Sequence, residues 1–312
     1  MKKILVSVGD ISGINSFLIY SAAKKYKDTI FEISAPENVF KENLKYFKIK
    51  NLPYNLTFDY FSASFKKIVP GEPTMSSTLL SFDSFKFSIR KMKIDHRNYA
   101  GLLTMPVNKE EISKIEKGFT GHTDFFEKEF NKKLTMLLYS KKIAVLPLTK
   151  HICLKEVEKK LFDEKIEKQI DNVYKFFKNF FKTTPKFLFL CVNPHCSDGK
   201  LLGLSDIKLK RIVKNLNKNY KIDGPMPADS AFNENNLKSY DVFVGTYHDQ
   251  VLIPFKMLSF EDGVNITCGL PFLRVSPDHG PAYDMVFKLD KITTYSTFSA
   301  VQLLSKVRIS QK

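Results

Sequence analysis

Short apolar runs, bounded by turn residues, alternate along this chain with longer stretches of helical period. KKILVSV at 2–8 reads as a first strand, followed by the loop GDISGIN and a helix through about Lys25. TIFEISAP predicts a second strand and PENVFKENLKYF a second helix. Residues 55–70 carry no period and read as irregular. Residues 74–93 predict a helix, with Leu79, Phe82, Phe85 and Ile89 spaced by three and four along one face. YAGLLTMPV is a strand ended by Pro106, NKEEISKIEK a helix, and TDFFEKEF a short helix for which Thr123 is an N-cap candidate. LTMLLYS and KIAVLPL, separated by Lys141 and Lys142, form a candidate hairpin, and 154–182 reads as one long helical stretch. KFLFLCVN, DVFVGT and GVNITCGL are further strands, with the helix DIKLKRIVKNLNK among them and a last helix through about Val307.

Strands alternating with helices predict an α/β fold, a three-layer α/β/α arrangement around a mostly parallel sheet. A length of 312 residues accommodates one catalytic unit with two subdomains flanking a cleft. Their expected extents are 1–105 plus 250–312, and 106–249. No apolar run is long enough to span a membrane, and the amino-terminal run meets Gly9 and Asp10 too soon for a signal peptide, so a cytoplasmic protein is expected. Cys153, Cys191, Cys196 and Cys268 form no C-x-x-C pair and are expected as thiols; Cys153 and Cys196 lie close enough to histidines to be considered as extra ligands.

A formal net charge of +16 raises the question of nucleic acid, but the lysines are spread along helical faces and interleaved with acids. The expectation is no nucleic-acid partner and no membrane partner, with the charge compatible with steering a small anion.

Histidine is rare, six in 312 residues, and three sit in TKHIC, NPHCSDG and TYHDQ, each at or just past the end of an apolar run. Imidazole is the commonest metal ligand, and three protein ligands with one open position is the pattern of a catalytic metal. His151, His195 and His248 are therefore the candidate ligands. Asp229 and Asp249 could orient a ligand, take a proton, or serve only as turn residues. His122 and Thr123 stand at a helix start, where both could bond a substrate. Arg274, between Leu273 and Val275, calls for an anion, either a bound phosphate or carboxylate or an internal salt bridge. Neither G-x-G-x-x-G nor G-x-x-x-x-G-K-[ST] occurs; Gly13 in GDISGIN either opens an anion-binding helix start or makes an ordinary turn.

In chain order, GDISGIN, MPVNK, FTGHTDFF, TKHICL, NPHCSDG, GPMPADSAF, TYHDQ and FKMLSFEDGVNITCGLPFLRVSPDHG resemble the 4-hydroxythreonine-4-phosphate dehydrogenase family of vitamin B6 biosynthesis, across 9–15 and most of 101–285. The resemblance implies a fold like the isocitrate and isopropylmalate dehydrogenases and a homodimer with shared active sites. It implies NAD as cofactor, with NADP as the alternative, and one divalent metal ion per site, zinc first and magnesium or cobalt as alternatives. It carries His151, His195 and His248 over as metal ligands, and His122, Thr123, Lys256, Asn265 and Arg274 as substrate contacts. Asp229 and Asp249 become acids near the metal, and His279 and Gly280 part of a cofactor-side loop. The implied substrate is a phosphorylated hydroxy amino acid, 4-phosphooxy-L-threonine. Its 3-hydroxyl would be oxidised to give 2-amino-3-oxo-4-phosphooxybutanoate, which decarboxylates to 3-amino-2-oxopropyl phosphate. A dehydrogenase of a related phosphorylated four-carbon sugar acid is the alternative, and a basic, non-catalytic binding protein is the rival from another class. The chain departs from the family pattern at Asp124 and Asp198, where Glu is expected, at Cys153 in place of Pro, and at Pro281 in place of Thr.

Overall fold

A computed structural model of the protein describes residues 1–59 and 68–306. The chain divides into two compact units, Met1–Lys132 together with the stretch from Val264 onward, and Lys133–Gly263. These bounds differ from the 105/106 and 249/250 divisions read from the sequence.

The first unit opens with β1 (Lys2–Ser7), α1 (Asn15–Lys25), β2 (Thr29–Ile33), α2 (Glu37–Lys45) and β3 (Leu56–Phe58). It continues through α3 (Met75–Asp95), β4 (Gly101–Thr104), α4 (Lys109–Ile115) and α5 (His122–Phe130). The second unit holds β5 (Thr135–Tyr139), β6 (Ala144–Pro147), α6 (Val157–Lys160), α7 (Ile166–Phe176), β7 (Lys186–Leu190) and α8 (Ser205–Leu216). There follow β8 (Lys221–Met226), α9 (Ala228–Ala231), α10 (Glu234–Ser239), β9 (Val242–Gly245) and α11 (His248–Ser259). The chain then returns to the first unit with β10 (Val264–Cys268), β11 (Arg274–Pro277) and α12 (Tyr295–Lys306).

In the first unit the strand order is β3-β2-β1-β4-β11-β10, parallel except that β10 runs antiparallel to β11. In the second it is β5-β6-β9-β7-β8, parallel except for the β5–β6 hairpin, which the sequence anticipated. Successive strand residues point to opposite faces, yet Ile4, Leu5 and Val6 are all 0% exposed, as are Phe187 through Leu190. Both faces of these strands are therefore covered, which is why they read as continuous apolar runs rather than alternating ones. The described residues include no helix long and apolar enough to cross a membrane.

Several elements depart from the sequence reading, β8 and β11 among them as unexpected strands. The stretch expected to be irregular contains β3, a three-residue parallel edge strand, while 60–67 of that stretch lie outside the described residues. The single helix expected over 154–182 is broken between α6 and α7. Leu161 and Ile166 are both buried; five positions apart on a straight helix they would lie about 140° apart and could not share one face. In α3, Phe82, Phe85 and Ile89 are buried as expected, but Leu79 is exposed, and Ser77, Ser81, Ser84 and Ser88 are buried with them. Ser84 takes the amide of Val8, and Ser88 bonds Ser34 and the Ser84 carbonyl, so that polar face is partly satisfied internally. Finally, Thr123 does not cap α5: the N-cap lies two residues earlier, at Gly121, with φ 155°. The last helix is described to Lys306, so Val307 lies outside the described residues.

Candidate active site

The first unit builds a buried cation for which the described residues supply no counter-charge. Arg274 opens β11 and is 2% exposed. In the β11–β4 and β11–β10 registers, residues two apart share a face, which brings Thr104 and Thr267 beside it. Its Nε donates to Thr104 Oγ1 at 2.8 Å and its Nη1 to Thr267 Oγ1 at 2.9 Å. The guanidinium carbon lies 5.7 Å from the centre of the Phe126 ring. Among the described residues no carboxylate pairs with it, so the internal salt bridge left open by the sequence is absent. Burial pulls its pKa down to about 9, still above neutrality, so the group stays charged. A buried charge without a counter-ion is costly, and two hydroxyls offset only part of that cost.

Two further polar atoms here lack partners. His122 Nε2 and Asn265 Oδ1 are both sealed from solvent with no hydrogen-bond partner. The His122 ring stands edge-on to Phe85, centroids 4.6 Å apart. Burial first, then the charges of Arg274 and Lys109, hold its pKa well below the usual histidine value. His122 is thus a neutral imidazole facing a cation-rich, apolar-walled place. Thr123, half-buried, follows it in the first turn of α5. A guanidinium paired only with hydroxyls calls for an anion, and the orphaned imidazole nitrogen and amide oxygen call for separate polar partners.

Near the amino terminus of the same unit, the loop after β1 is tied to the loop after β11. The Asp10 carboxylate accepts from Ser12 N at 3.0 Å, from Ser12 Oγ at 2.6 Å and from the Tyr283 hydroxyl at 2.8 Å. Ile14 N donates to the Pro281 carbonyl at 3.0 Å, and a Cβ on Gly13 would come within 2.0 Å of that oxygen. Gly13 therefore serves close loop packing. His279 and Gly280 are exposed at the tip of the second loop, and a Cβ on Gly280 would meet nothing within 4 Å.

The second unit carries all three metal-candidate histidines. They follow β6, β9 and β7, three adjacent parallel strands, at their carboxyl ends, the edge where α/β sheets bind ligands. His151 and His248 stand side by side, ring centroids 5.5 Å apart. His248 Nδ1 lies 2.6 Å from Asp249 Oδ1. That pairing favours the tautomer with the lone pair on Nε2, the form a metal ligand needs. The donor chemistry of the pair fits a divalent ion. The number does not reach three within one chain: among the described residues no group of three or more His, Cys, Asp or Glu is arranged to hold a metal. His195 is exposed on the turn after β7 and does not complete the pair. Asp229 is exposed at the start of α9. Lys256, on α11, places its ammonium 5.4 Å from the Phe260 ring centre. All four cysteines are thiols; Cys153 is exposed, and Cys196 Sγ lies 3.5 Å from the Pro225 carbonyl oxygen.

The three strand ends are cross-linked by residues the sequence reading passed over. Thr149 Oγ1 donates to the Thr246 carbonyl at 2.7 Å, joining the ends of β6 and β9. Gln250 Oε1 accepts from Thr246 N at 2.8 Å, and its Nε2 donates to the Cys191 carbonyl at 2.7 Å, joining β9 to β7. Beyond β7, His195, Cys196, Ser197 and Asp198 all have positive φ, as does His151 after β6. For residues with a Cβ this costs about 1–2 kcal/mol each, and it persists only where the surroundings over-determine it. Nothing in the local sequence marks Thr149 or Gln250 as ties; only the adjacency of the strands does.

The family model described as "Pyridoxal phosphate biosynthetic protein PdxA" matches residues 13–304. A 4-hydroxythreonine-4-phosphate dehydrogenase of Aquifex aeolicus is 34% identical over 97% of this chain and 97% of its own. The crystal structure of a 4-hydroxythreonine-4-phosphate dehydrogenase from Klebsiella pneumoniae superposes with a TM-score of 0.81 at 25% identity, covering 98% of this chain and 99% of that one. A β-decarboxylating dehydrogenase from Thermococcus kodakarensis, TM-score 0.51 at 12% identity over 98% of this chain and 83% of that one, shares the fold alone. With a family match spanning nearly its whole length and a relative 34% identical over 97% of it, the chain belongs to the pyridoxal phosphate biosynthetic protein PdxA family.

Proposed function

We propose that this protein is a metal-dependent, NAD-linked dehydrogenase of 4-phosphooxy-L-threonine. Family membership supports the oxidoreductase class. The observation that carries the substrate class is Arg274, a buried guanidinium with no internal carboxylate, beside the unpartnered His122 Nε2 and Asn265 Oδ1. An anionic group on the substrate would pair with the guanidinium, and the substrate's own hydroxyl or amino hydrogens would satisfy the acceptors. The planar fork has donors to spare, His122 Nε2 accepts as the neutral ring, and Asn265 Oδ1 accepts a hydroxyl or amino hydrogen. Thr123 adds a hydroxyl next to His122; Lys256, on α11 of the second unit, is assigned to substrate binding by the family resemblance.

NAD, when bound, would supply the hydride acceptor for C3, and a base on this chain would take the proton of the 3-hydroxyl. The resulting 2-amino-3-oxo acid is a β-keto acid and loses carbon dioxide to give 3-amino-2-oxopropyl phosphate. Asp249 is already engaged with His248 Nδ1 and is assigned the orienting role, which leaves Asp229 as the proton acceptor. A divalent ion, when bound, polarises the hydroxyl oxygen. His151 and His248 would hold it, with imidazole donors favouring zinc or cobalt over magnesium. His279 and Gly280, on the open loop tip, are assigned to the cofactor.

Two observations support a homodimer. One chain presents two adjacent histidines and a third apart from them. The helix that begins with His248 also exposes Ile253, Met257 and Phe260, at 60%, 82% and 75%, spaced four and three apart along one face. A second copy covering that stripe could bring its own His195 to the pair. The test of the activity is NADH formation from 4-phosphooxy-L-threonine with a divalent metal present. Oxidation of a four-carbon aldonate phosphate instead, with none of the amino acid phosphate, would overturn the substrate assignment.

A further inference from the structure

The turn that presents His195 is held by one carboxylate that the sequence marks only as a helix start. Asp206 is the second residue of α8 and is 3% exposed. Its Oδ1 accepts from Val192 N at 2.6 Å. Its Oδ2 accepts from Asn193 N at 3.1 Å, from the Ser197 hydroxyl at 2.6 Å and from Asn193 Nδ2 at 3.3 Å. The anchors lie on both sides of His195, two before it and one after. Between them the backbone runs through consecutive left-handed residues, φ 51° at His195, 54° at Cys196 and 67° at Ser197. Residues with a Cβ avoid that region unless their surroundings impose it. The turn holds no glycine until Gly199, so the imposition must come from bonds, and Asp206 supplies them from another element.

We propose that Asp206 is a positioning residue for His195: its carboxylate fixes the left-handed turn and so sets where the imidazole is presented. The proposal rests on the reading of His195 as a metal donor. Groups that orient a metal ligand from behind fix its direction and raise the affinity of the site. Asp206 does this through the backbone and a hydroxyl, without touching the ring. The amide of Asn keeps one acceptor oxygen for the Val192 amide but puts a donor where Asn193 N and Ser197 Oγ need an acceptor. Glu keeps the charge at a longer reach.

The test titrates Co²⁺ into metal-free, full-length protein, reading the visible absorption of the bound ion and its affinity by chelator competition. Asp206→Asn is expected to weaken Co²⁺ binding about tenfold or more and to alter the spectrum. Asp206→Glu should recover part of the loss. In a His195→Ala background, Asp206→Asn should change affinity by less than about twofold, because the residue it acts through is gone. Loss of affinity on Asp206→Asn that is as large with His195 absent as with it present overturns the proposal. So does normal binding by Asp206→Asn when His195→Ala binds poorly, and that result leaves the ligand reading intact. Full Co²⁺ binding by His195→Ala overturns the ligand reading and the proposal with it. If Asp206→Asn does not fold, as judged by circular dichroism, Ser197→Ala removes one of the bonds, and a smaller loss in the same direction, again absent without His195, is the expected result. Unchanged binding by Ser197→Ala would then count against the proposal.

Discussion

At the scale of single residues, the site is a set of side chains left short of partners. His122 shows this through its protonation. The unfolded chain would bind a proton near pH 6.5, whereas the folded protein holds His122 neutral to lower pH. The unfolded state therefore takes up the proton first on acidification, so the stability that His122 supports is present above about pH 6.5 and is lost as pH falls below it. His122→Gln should flatten the fall in stability just below that pH in urea melts at stepped pH. An unchanged slope would place the acid sensitivity elsewhere. The three histidines proposed as metal ligands give a second residue-scale prediction. Alanine at His151, His195 or His248 should lower bound metal and activity together, and full metal content with any one of them replaced would remove it from the ligand set. These histidines were legible in the sequence because the residue is rare and each ends an apolar run. Asp206 and Gln250 were not, since Asp at a helix start and Gln in a helix are ordinary locally. Their roles depend on which strands become neighbours.

At the scale of elements, the corner between β9 and α11 carries more structure than its sequence suggests. Gln250→Ala would leave the Thr246 amide and the Cys191 carbonyl without their partner. The expected cost is about 1–3 kcal/mol in denaturant unfolding, and a neutral result would mean that water replaces the bonds. The outer face of α11 makes a separate prediction. Met257→Asp should shift a dimer toward monomer in sedimentation and reduce activity with it. A fully active monomer would contradict the shared-site reading. The strands of four to six apolar residues were read correctly because they are buried on both faces. β3, β8 and β11 were missed for identifiable reasons. β3 has three residues, β8 exposes Lys221, Asp223 and Gly224 and holds Pro225, and β11 has four residues opening with an arginine. Each becomes a strand by pairing with a strand already in place. The same limit explains Thr123: its residue type suits an N-cap, but the conformation of Gly121 lets the helix begin earlier.

At the scale of the molecule, the two units divide the chemistry. The first holds the buried Arg274 with the orphaned His122 and Asn265 atoms, on β4, β10, β11 and α5; the second gathers three histidine-bearing strand ends. The fold class and the family motifs were visible in the sequence, because the strands are continuous apolar runs and the motifs are short turn segments of distinctive residue types. The state of Arg274 was not, since a buried arginine reads the same whether its counter-charge is internal or a ligand. That distinction is the centre of the account. The measurement that tests it most directly is the specificity constant for NADH formation from 4-phosphooxy-L-threonine and from its unphosphorylated analogue, in the wild type and in Arg274→Ala and Arg274→Lys. The account predicts a strong preference for the phosphorylated substrate. Arg274→Ala should lose about ten- to a hundredfold in kcat/KM, the equivalent of about 1.5–3 kcal/mol for a charge-assisted bond. Arg274→Lys should also be impaired, because lysine lacks the planar fork. Equal use of both substrates by the wild type, or an undiminished Arg274→Ala enzyme, would contradict it.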